Sequence, residues 1–293
     1  MHIAVIGGGW GGLAAAVELA ANRIPVVLYE AAREPGGRAR RIQYNGVDLD
    51  NGQHILLGAY DETLRLMKLC GVAADSLLRL PLKWYFHPDF LIQSNGLAGK
   101  LPAPLDLLGA FLKARGMSPQ QKLSVIKFVT AMRLRQFKLQ DDTTVDRLLD
   151  AHGQHNALRE CLWEPLCVSA LNTPTRIASA QIFLNVLRDG LFGGKGCSDL
   201  LIPQKNLGDI FPQPAVQYVL QNGGEVRTGA AVTAIRPVDS AFAVSTRDDQ
   251  QGFSHVICAA GPHQVAFLLQ PTPAFQPVLR RIEALEYEPI VTV

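Results

Sequence analysis

The first thirty residues alternate between short apolar runs and a glycine-rich turn. Ile3–Ile6 is apolar, Gly7–Gly12 is rich in glycine, and Leu13–Asn22 has the alanine and leucine content of a helix packed on a sheet. Pro25–Glu30 is a second apolar run that ends in an acid. This order predicts strand, turn, helix and strand, the βαβ unit of a dinucleotide-binding fold.

The pattern changes twice further along the chain. Asn45-Gly46 between two alternating runs predicts a β-hairpin, and helical patterns dominate from Leu105 to Leu191. Strand patterns return at 225–227, 232–236, 255–259 and 289–293. We therefore predict an α/β protein: a Rossmann-like domain with a mixed sheet and a β-hairpin, interrupted by a mostly helical second domain. The predicted segments are 1–80 and 199–275 for the first domain, 81–198 for the helical domain, and 276–293 for the start of a further sheet.

The composition narrows the class of protein. Of the 293 residues, 48% are hydrophobic and 18% charged, and the net charge of +2 gives no general argument for a nucleic-acid partner. The five cysteines form no CxxC pair, and His152-x-x-His155 has no apparent third ligand, so we predict reduced thiols and no metal. Neither a secretory signal nor an apolar run of the ~18–20 residues of a membrane-spanning helix is evident. We expect a cytoplasmic protein, either free or peripheral at the inner membrane face.

Gly7-x-Gly9-x-x-Gly12 stands directly between a predicted strand and a predicted helix. The first glycine permits a tight turn, the second lets the backbone approach a pyrophosphate, and the third lets helix and strand pack closely. Glu30 follows Gly12 by 18 residues, where an acid accepts the ribose hydroxyls and repels a 2′-phosphate. We predict a dinucleotide site that includes Gly11 of the same turn.

Glu30 is followed by Ala-Ala-Arg-Glu-Pro-Gly-Gly37-Arg38. An acid and then Gly-Gly-Arg, after the N-terminal fingerprint, resembles the amine oxidase and phytoene desaturase superfamily of flavoproteins. The resemblance implies FAD as the cofactor, with Gly37 and Arg38 reaching the same dinucleotide.

Three further segments resemble the hydroxysqualene dehydroxylase branch of that superfamily. They are Asp50-Asn-Gly-Gln53-His54, the Trp163–Asp189 region with its Trp-Glu-Pro-Leu-Cys-Val-Ser-Ala-Leu-Asn-Thr-Pro run, and Ser198-Asp-Leu-Leu-Ile-Pro203. The resemblance implies reductive removal of a hydroxyl from a long-chain isoprenoid, in squalene and hopanoid synthesis. It places Gln53, His54 and the backbone of Val232 at the cofactor, and it makes 81–198 the substrate-facing domain. A carotenoid-type desaturase or an amine oxidase of the same superfamily is the alternative enzyme.

His54 is the candidate proton donor, since a histidine can give up a proton near neutral pH. The alternative is that its backbone or ring only holds the cofactor. Asp50 has two interpretations as well, an acid that orients His54 or an ordinary loop acid.

The helical domain leaves two further interpretations open. Six of its apolar residues fit either a substrate tunnel or a core: Trp163, Leu166, Leu171, Phe183, Leu184 and Leu187. The segment Lys100–Lys138 has eight basic residues and one acid, interleaved with Leu123, Ile126, Val129, Met132, Leu134 and Phe137. That pattern fits a membrane-surface helix or an ordinary solvated face, and no recognition motif for nucleic acid accompanies it.

Members of the superfamily continue with a Gly-Asp element that closes over the flavin, and this chain has no recognisable counterpart. We expect a C-terminal segment beyond these residues to complete the FAD site. The hypothesis of another class is a non-catalytic flavin-binding fragment.

Overall fold

The computed structural model describes residues 1–52, 54–94, 105–270 and 272–287, and these form two compact units. Unit 1 comprises Met1–Ile55, Asp61–Leu78 and the described residues from Pro203 onward. Unit 2 comprises Leu56–Tyr60 and the described residues of Arg79–Ile202. The chain therefore leaves unit 1 and returns to it.

Strands and helices occur in runs along the described chain. The strands are β1 (Ile3–Ile6), β2 (Val26–Tyr29), β3 (Arg41–Tyr44), β4 (Val47–Asp50), β5 (Leu56–Leu57), β6 (Leu77–Leu80), β7 (Lys83–Phe86), β8 (Phe90–Gln93), β9 (Leu200–Pro203), β10 (Glu225–Arg227), β11 (Ala234–Val238), β12 (Ala241–Ser245), β13 (Gln250–Phe253) and β14 (His255–Cys258). The helices are α1 (Trp10–Ala21), α2 (Asp61–Leu69), α3 (Leu105–Leu112), α4 (Pro119–Leu134), α5 (Val145–Ala151), α6 (Glu164–Leu171), α7 (Ala180–Phe192), α8 (Leu207–Ile210), α9 (Pro212–Gln221), α10 (Pro262–Leu269) and α11 (Gln276–Glu283), with a π-helical turn at Arg159–Trp163.

A four-stranded parallel sheet is the centre of unit 1, in the order β10-β2-β1-β14. All four residues of β1 and all four of β2 are buried, as expected for strands covered on both faces. α1 packs on β2 and on α9, and its Ala-rich sequence allows that close approach. The βαβ unit predicted for the first thirty residues is therefore present.

Two antiparallel sheets complete the strands of unit 1. β3 and β4 pair as the predicted hairpin around Asn45-Gly46 and form a sheet of their own. β11, β12 and β13 form a three-stranded meander, whose Ile235, Val244 and Phe253 join the core beside β1 and β2.

Unit 2 is mostly helical and has its own core. An antiparallel hairpin of β7 and β8 contributes Phe90 and Ile92 to that core, and β5 pairs with β9. The predicted helical character between 81 and 198 did not include this hairpin.

An aromatic cluster surrounds a buried amide in the core of unit 2. Trp163 meets Phe128 and Phe183 edge-on, with ring centroids 5.2 and 6.3 Å away. Its indole nitrogen donates to Gln154 Oε1 at 3.0 Å. The Gln154 side-chain nitrogen donates in turn to Ser124 and to the His152 carbonyl. Gln154 has no exposed surface, so these partners replace the water that its amide loses.

One segment near the C-terminus differs from the sequence prediction. The segment predicted to start a further sheet at 276 is helix α11 in unit 1, because Val278, Leu279 and Ile282 have helical spacing and Leu279 is buried. The strand predicted for 289–293 lies outside the described residues. Helix α5 is capped by Thr144, whose hydroxyl oxygen accepts a hydrogen bond from the Arg147 N–H.

The six apolar residues of the basic segment divide between core and surface. Met132 and Phe137 are buried in the core of unit 2, and Ile126 and Val129 are half-buried. Leu123 and Leu134 are exposed. Lys100 lies outside the described residues.

In the described ranges, every helix is too short or too polar to cross a membrane.

The buried amide generates a stability prediction. Gln154→Leu should lower the free energy of unfolding by about 1–3 kcal/mol, because the buried Trp163 N–H loses its acceptor in the core. Urea unfolding measures this, with the exposed Gln217→Leu as control, which should change stability by less than about 0.5 kcal/mol. Equal effects at the two positions would contradict the structural role of Gln154.

Candidate functional site

The glycine turn after β1 brings backbone against backbone. A Cβ on Gly12 would lie 1.8 Å from the Gly7 carbonyl oxygen, and a Cβ on Gly7 would lie 2.9 Å from the Ala259 carbonyl carbon. Gly7 also has a φ of +104°, which favours glycine. The strand end at Ala259 after β14 therefore packs directly on the turn, and α1 starts as close to β1 as the motif predicts.

A second glycine pair meets the first turn from the other side. Gly36 donates to the Gly8 carbonyl at 2.8 Å and forms a parallel bridge with Gly9. A Cβ on Gly37 would lie 3.1 Å from the Gly9 Cα, whereas one on Gly9 would meet only the Gly37 Cα at 3.9 Å. The two loops thus present bare backbone to each other at Gly9 and Gly37.

Helix α1 begins at this point without a side-chain cap. Its N-cap is Gly9, in extended conformation, and among the described residues no side chain caps the first turn. Gly11 is exposed, with nothing within 4 Å of the position that its Cβ would take. The free N–H groups and the positive end of the helix dipole suit a phosphate.

Glu30 closes the site at the end of β2. Its Oε2 accepts from the Gly8 N–H at 2.6 Å, and its Oε1 accepts from the Ala32 N–H at 2.7 Å. These bonds fix the carboxylate between the two loops, and each oxygen keeps a further lone pair. The position allows hydrogen bonds to ribose hydroxyls and disfavours a 2′-phosphate.

Arg38 lies on a segment that three polar contacts hold in place. The Trp10 indole donates to the Ala39 carbonyl at 3.1 Å, Asn51 Nδ2 to the Arg38 carbonyl at 3.3 Å, and the Asn51 N–H to the Arg40 carbonyl at 2.9 Å. The Arg38 side chain is exposed and forms no ion pair within the described ranges. Trp10 and Asn51 were missed from the sequence, although a tryptophan inside a glycine turn is a signal, because its indole is a donor that needs a partner.

Asp50 and His54 do not contact each other. Asp50 Oδ1 accepts from the Leu207 N–H at 2.7 Å and so caps the start of α8. His54 is half-buried, and its Nδ1 lies 3.1 Å from the Gly52 carbonyl oxygen. Of the two interpretations of Asp50, the orientation of His54 is not supported, and the carboxylate is a cap. Gln53 lies outside the described residues.

Val232 lines a cavity of about 240 Å³ together with His263, Gln264, Phe267 and Leu268. Val232 is half-buried and packs against the core of unit 1. The α10 residues in this lining were not predicted, since they follow β14 and are remote in sequence from the glycine motif.

Burial shifts the pKa values of several cysteine thiols and of His152. All five cysteines are free, and burial raises the pKa of Cys70 and of Cys167 to about 11. The His152 ring contacts the Phe128 ring. Burial is the main cause that lowers the pKa of His152, and the nearby positive charge of Arg135 lowers it further. Among the described residues no three metal-ligating side chains cluster.

The six candidate tunnel residues belong to the core of unit 2. Trp163, Phe183, Leu184 and Leu187 are at most 2% exposed, and Leu166 and Leu171 pack against them. Their arrangement supports the core interpretation for the four buried residues.

Comparison with known proteins gives a family-level match to flavin-containing amine oxidoreductases over residues 10–293. A hydroxysqualene dehydroxylase of Zymomonas mobilis is 31% identical over 228 residues, which are 76% of this chain and 52% of that protein. A zeta-carotene desaturase of Arabidopsis thaliana is 24% identical over 239 residues, 77% of this chain and 42% of that protein. The match thus spans about half the length of these relatives.

Among solved structures, an oxidoreductase from Methanosarcina mazei superposes with a TM-score of 0.69 at 18% identity, covering 98% of this chain and 66% of that one. This likeness concerns the fold and confirms the predicted α/β architecture.

The meeting of Gly9 and Gly37 generates a binding prediction. Gly9→Val should abolish retention of FAD, because the added side chain occupies the space where the backbone would meet the pyrophosphate, while the fold tolerates its Cβ. Visible flavin absorbance after gel filtration measures retention, and circular dichroism checks folding. Gly252→Val is the control, on an exposed strand position with open space. Equal retention in both variants would contradict the placement of the site.

The buried thiols generate a reactivity prediction. With a pKa of about 11 and no exposed surface, Cys167 should be protonated and alkylated far more slowly at pH 8 than after unfolding in urea. Mass spectrometry of iodoacetamide-treated protein measures this. Rapid labelling of Cys167 in the folded chain would show an exposed, ionised thiol instead.

Proposed function

The chain belongs to the flavin-containing amine oxidoreductase family, and from this we propose that it is an FAD-dependent oxidoreductase that reductively removes the hydroxyl of hydroxysqualene to give squalene. The family membership confirms the predicted flavin cofactor. The substrate and the direction of the reaction are the proposal.

One observation supports the proposed FAD site. Two glycine loops approach each other without side chains between them, in front of the uncapped N-terminus of α1, and the Glu30 carboxylate lies beside them. A group with a pyrophosphate and a ribose fits such a cradle. The backbones at Gly9, Gly11 and Gly37 would hold the pyrophosphate, and Glu30 the ribose.

Two further positions support the assignment to FAD. The Val232 backbone lies beside an open cavity that suits the adenine. The unpaired guanidinium of Arg38, on a segment held by Trp10 and Asn51, is available for the dinucleotide.

The substrate part of the proposal rests on sequence similarity. The Trp163–Asp189 and Ser198–Pro203 segments resemble the dehydroxylase branch, and the relative of that name is 31% identical. Bound FAD in its reduced form would supply the electron pair and hydrogen that replace the hydroxyl. The protein must then protonate the oxygen, which leaves as water.

His54 is the residue that we propose for that protonation. Its Nδ1 points at the Gly52 carbonyl, which can fix the ring with a proton on that nitrogen. Nε2 is then the nitrogen that carries and releases the second proton. If His54 only holds the cofactor, removing its ring should change FAD binding and leave the chemical step intact.

A carotenoid-type desaturase is the second candidate, favoured by the similarity to zeta-carotene desaturase. A desaturase oxidises its polyene and passes electrons to an acceptor, whereas a dehydroxylase consumes electrons. The direction of electron flow therefore separates the two. An amine oxidase, the activity in the family description, would oxidise an amine substrate.

We predict that the purified chain, loaded with FAD and kept reduced without oxygen, converts hydroxysqualene in detergent micelles to squalene. His54→Asn should lower turnover by about 10²–10⁴-fold with FAD retained, since it removes a general acid. His255→Asn, an exposed histidine in the same unit, is the control and should retain activity.

Product analysis by gas chromatography decides between the candidates. Desaturation of a polyene with an added acceptor, and no squalene from hydroxysqualene, would favour the desaturase. Retained FAD with neither reaction would favour a flavin-binding role without catalysis.

A further inference from the structure

One surface of unit 2 has an excess of positive charge. Between residues 105 and 140 the sequence contains seven basic residues and a single acid, Asp106. The basic residues are Lys113, Arg115, Lys122, Lys127, Arg133, Arg135 and Lys138. They belong to the turn after α3, to α4 and to the segment that follows it.

These cations have no carboxylate partners in the part of the chain that the structure describes. Arginines elsewhere do: Arg159 lies 2.6 Å from Asp150, and Arg227 lies 2.6 Å from Glu225. In contrast, Lys122 Nζ donates to the Leu112 carbonyl at 2.8 Å, and the Arg133 guanidinium lies 5.9 Å from the Phe192 ring centroid. The charge of this surface is therefore left for water or for an anionic partner.

The same surface exposes leucines. Leu123, Lys127, Thr130 and Leu134 follow one another at helical spacing on the outer side of α4, opposite the buried Val125, Phe128 and Met132. Leu123 is 52% exposed and Leu134 is 82% exposed. The hydrogen bond from Lys122 to the Leu112 carbonyl connects the end of α3 to the first turns of α4. The Leu112 side chain, at the end of α3, is 56% exposed.

We propose that this surface, the α3–α4 face, docks on a bilayer that contains anionic phospholipid. The face is defined by Leu112, Lys113, Leu123, Lys127, Arg133 and Leu134. Its leucines would enter the boundary between headgroups and acyl chains, and its cations would lie beside the lipid phosphates. Nucleic acid fits less well, because exposed leucines gain nothing from a phosphate backbone, and the six residues that define the face include no aromatic side chain to stack on bases.

The proposal does not depend on hydroxysqualene as substrate, since lipid alone tests it. Co-sedimentation with phosphatidylcholine vesicles, with and without phosphatidylglycerol, measures binding at low and high salt. Binding should need phosphatidylglycerol and should weaken as salt rises, since the charges are exposed. Lys127→Glu together with Arg133→Glu should weaken binding about tenfold or more, as each basic residue near the surface contributes about fivefold.

Leu123→Ser with Leu134→Ser should also weaken vesicle binding, because it removes the inserting side chains while the charge stays the same. Leu220→Ser is the matched control, an exposed leucine on α9 of unit 1. Thermal unfolding verifies that each variant is folded. Binding that ignores phosphatidylglycerol, or leucine variants that bind like the parent chain, would overturn the proposal. So would tighter binding of a single-stranded oligonucleotide than of vesicles.

Discussion

Backbone segments can approach closely only where no Cβ lies between them, and unit 1 depends on this in two places. At Gly7 and Gly12 the absence of side chains lets α1 start directly against β1 and the end of β14. At Gly9 and Gly37 it lets a second loop approach the first, so that both leave their backbone accessible at one point. Glu30 is hydrogen-bonded between the same two loops. The sheet, the helix N-terminus and the acid therefore converge because of the glycines.

Much of this region could be predicted because its residues are close in sequence. The spacing of Gly7, Gly9 and Gly12 between an apolar run and a helix, with an acid at the end of the next strand, is enough to predict a βαβ site. Asp50 was not predictable in the same way, because it caps a helix that starts 157 residues later, at Leu207. The cavity residues on α10 and the contacts of Trp10 and Asn51 depend likewise on tertiary packing.

Helical spacing alone could not separate the core of unit 2 from its surface. Both faces of α4 contain apolar residues, since Met132 is buried and Leu123 is exposed, and the sequence pattern does not tell the two apart. The aromatic cluster around Trp163 and Gln154 fixes which side faces inward. What remains outside is a face of leucines and unpaired cations, which suits a lipid surface. A hydrocarbon substrate dissolves in lipid, so a protein docked on a bilayer would find it there. The proposed reaction and the proposed membrane docking are therefore physically consistent, although they rest on different residues.

An equilibrium titration tests most directly whether the two glycine loops bind one pyrophosphate. The purified chain is titrated with ADP, with adenosine 2′,5′-bisphosphate and with FAD. ADP should bind and be displaced by FAD, and the 2′-phosphate should be rejected because it would meet the Glu30 carboxylate. Absence of binding by both ADP and FAD, or preference for the 2′-phosphate, would contradict the proposed site.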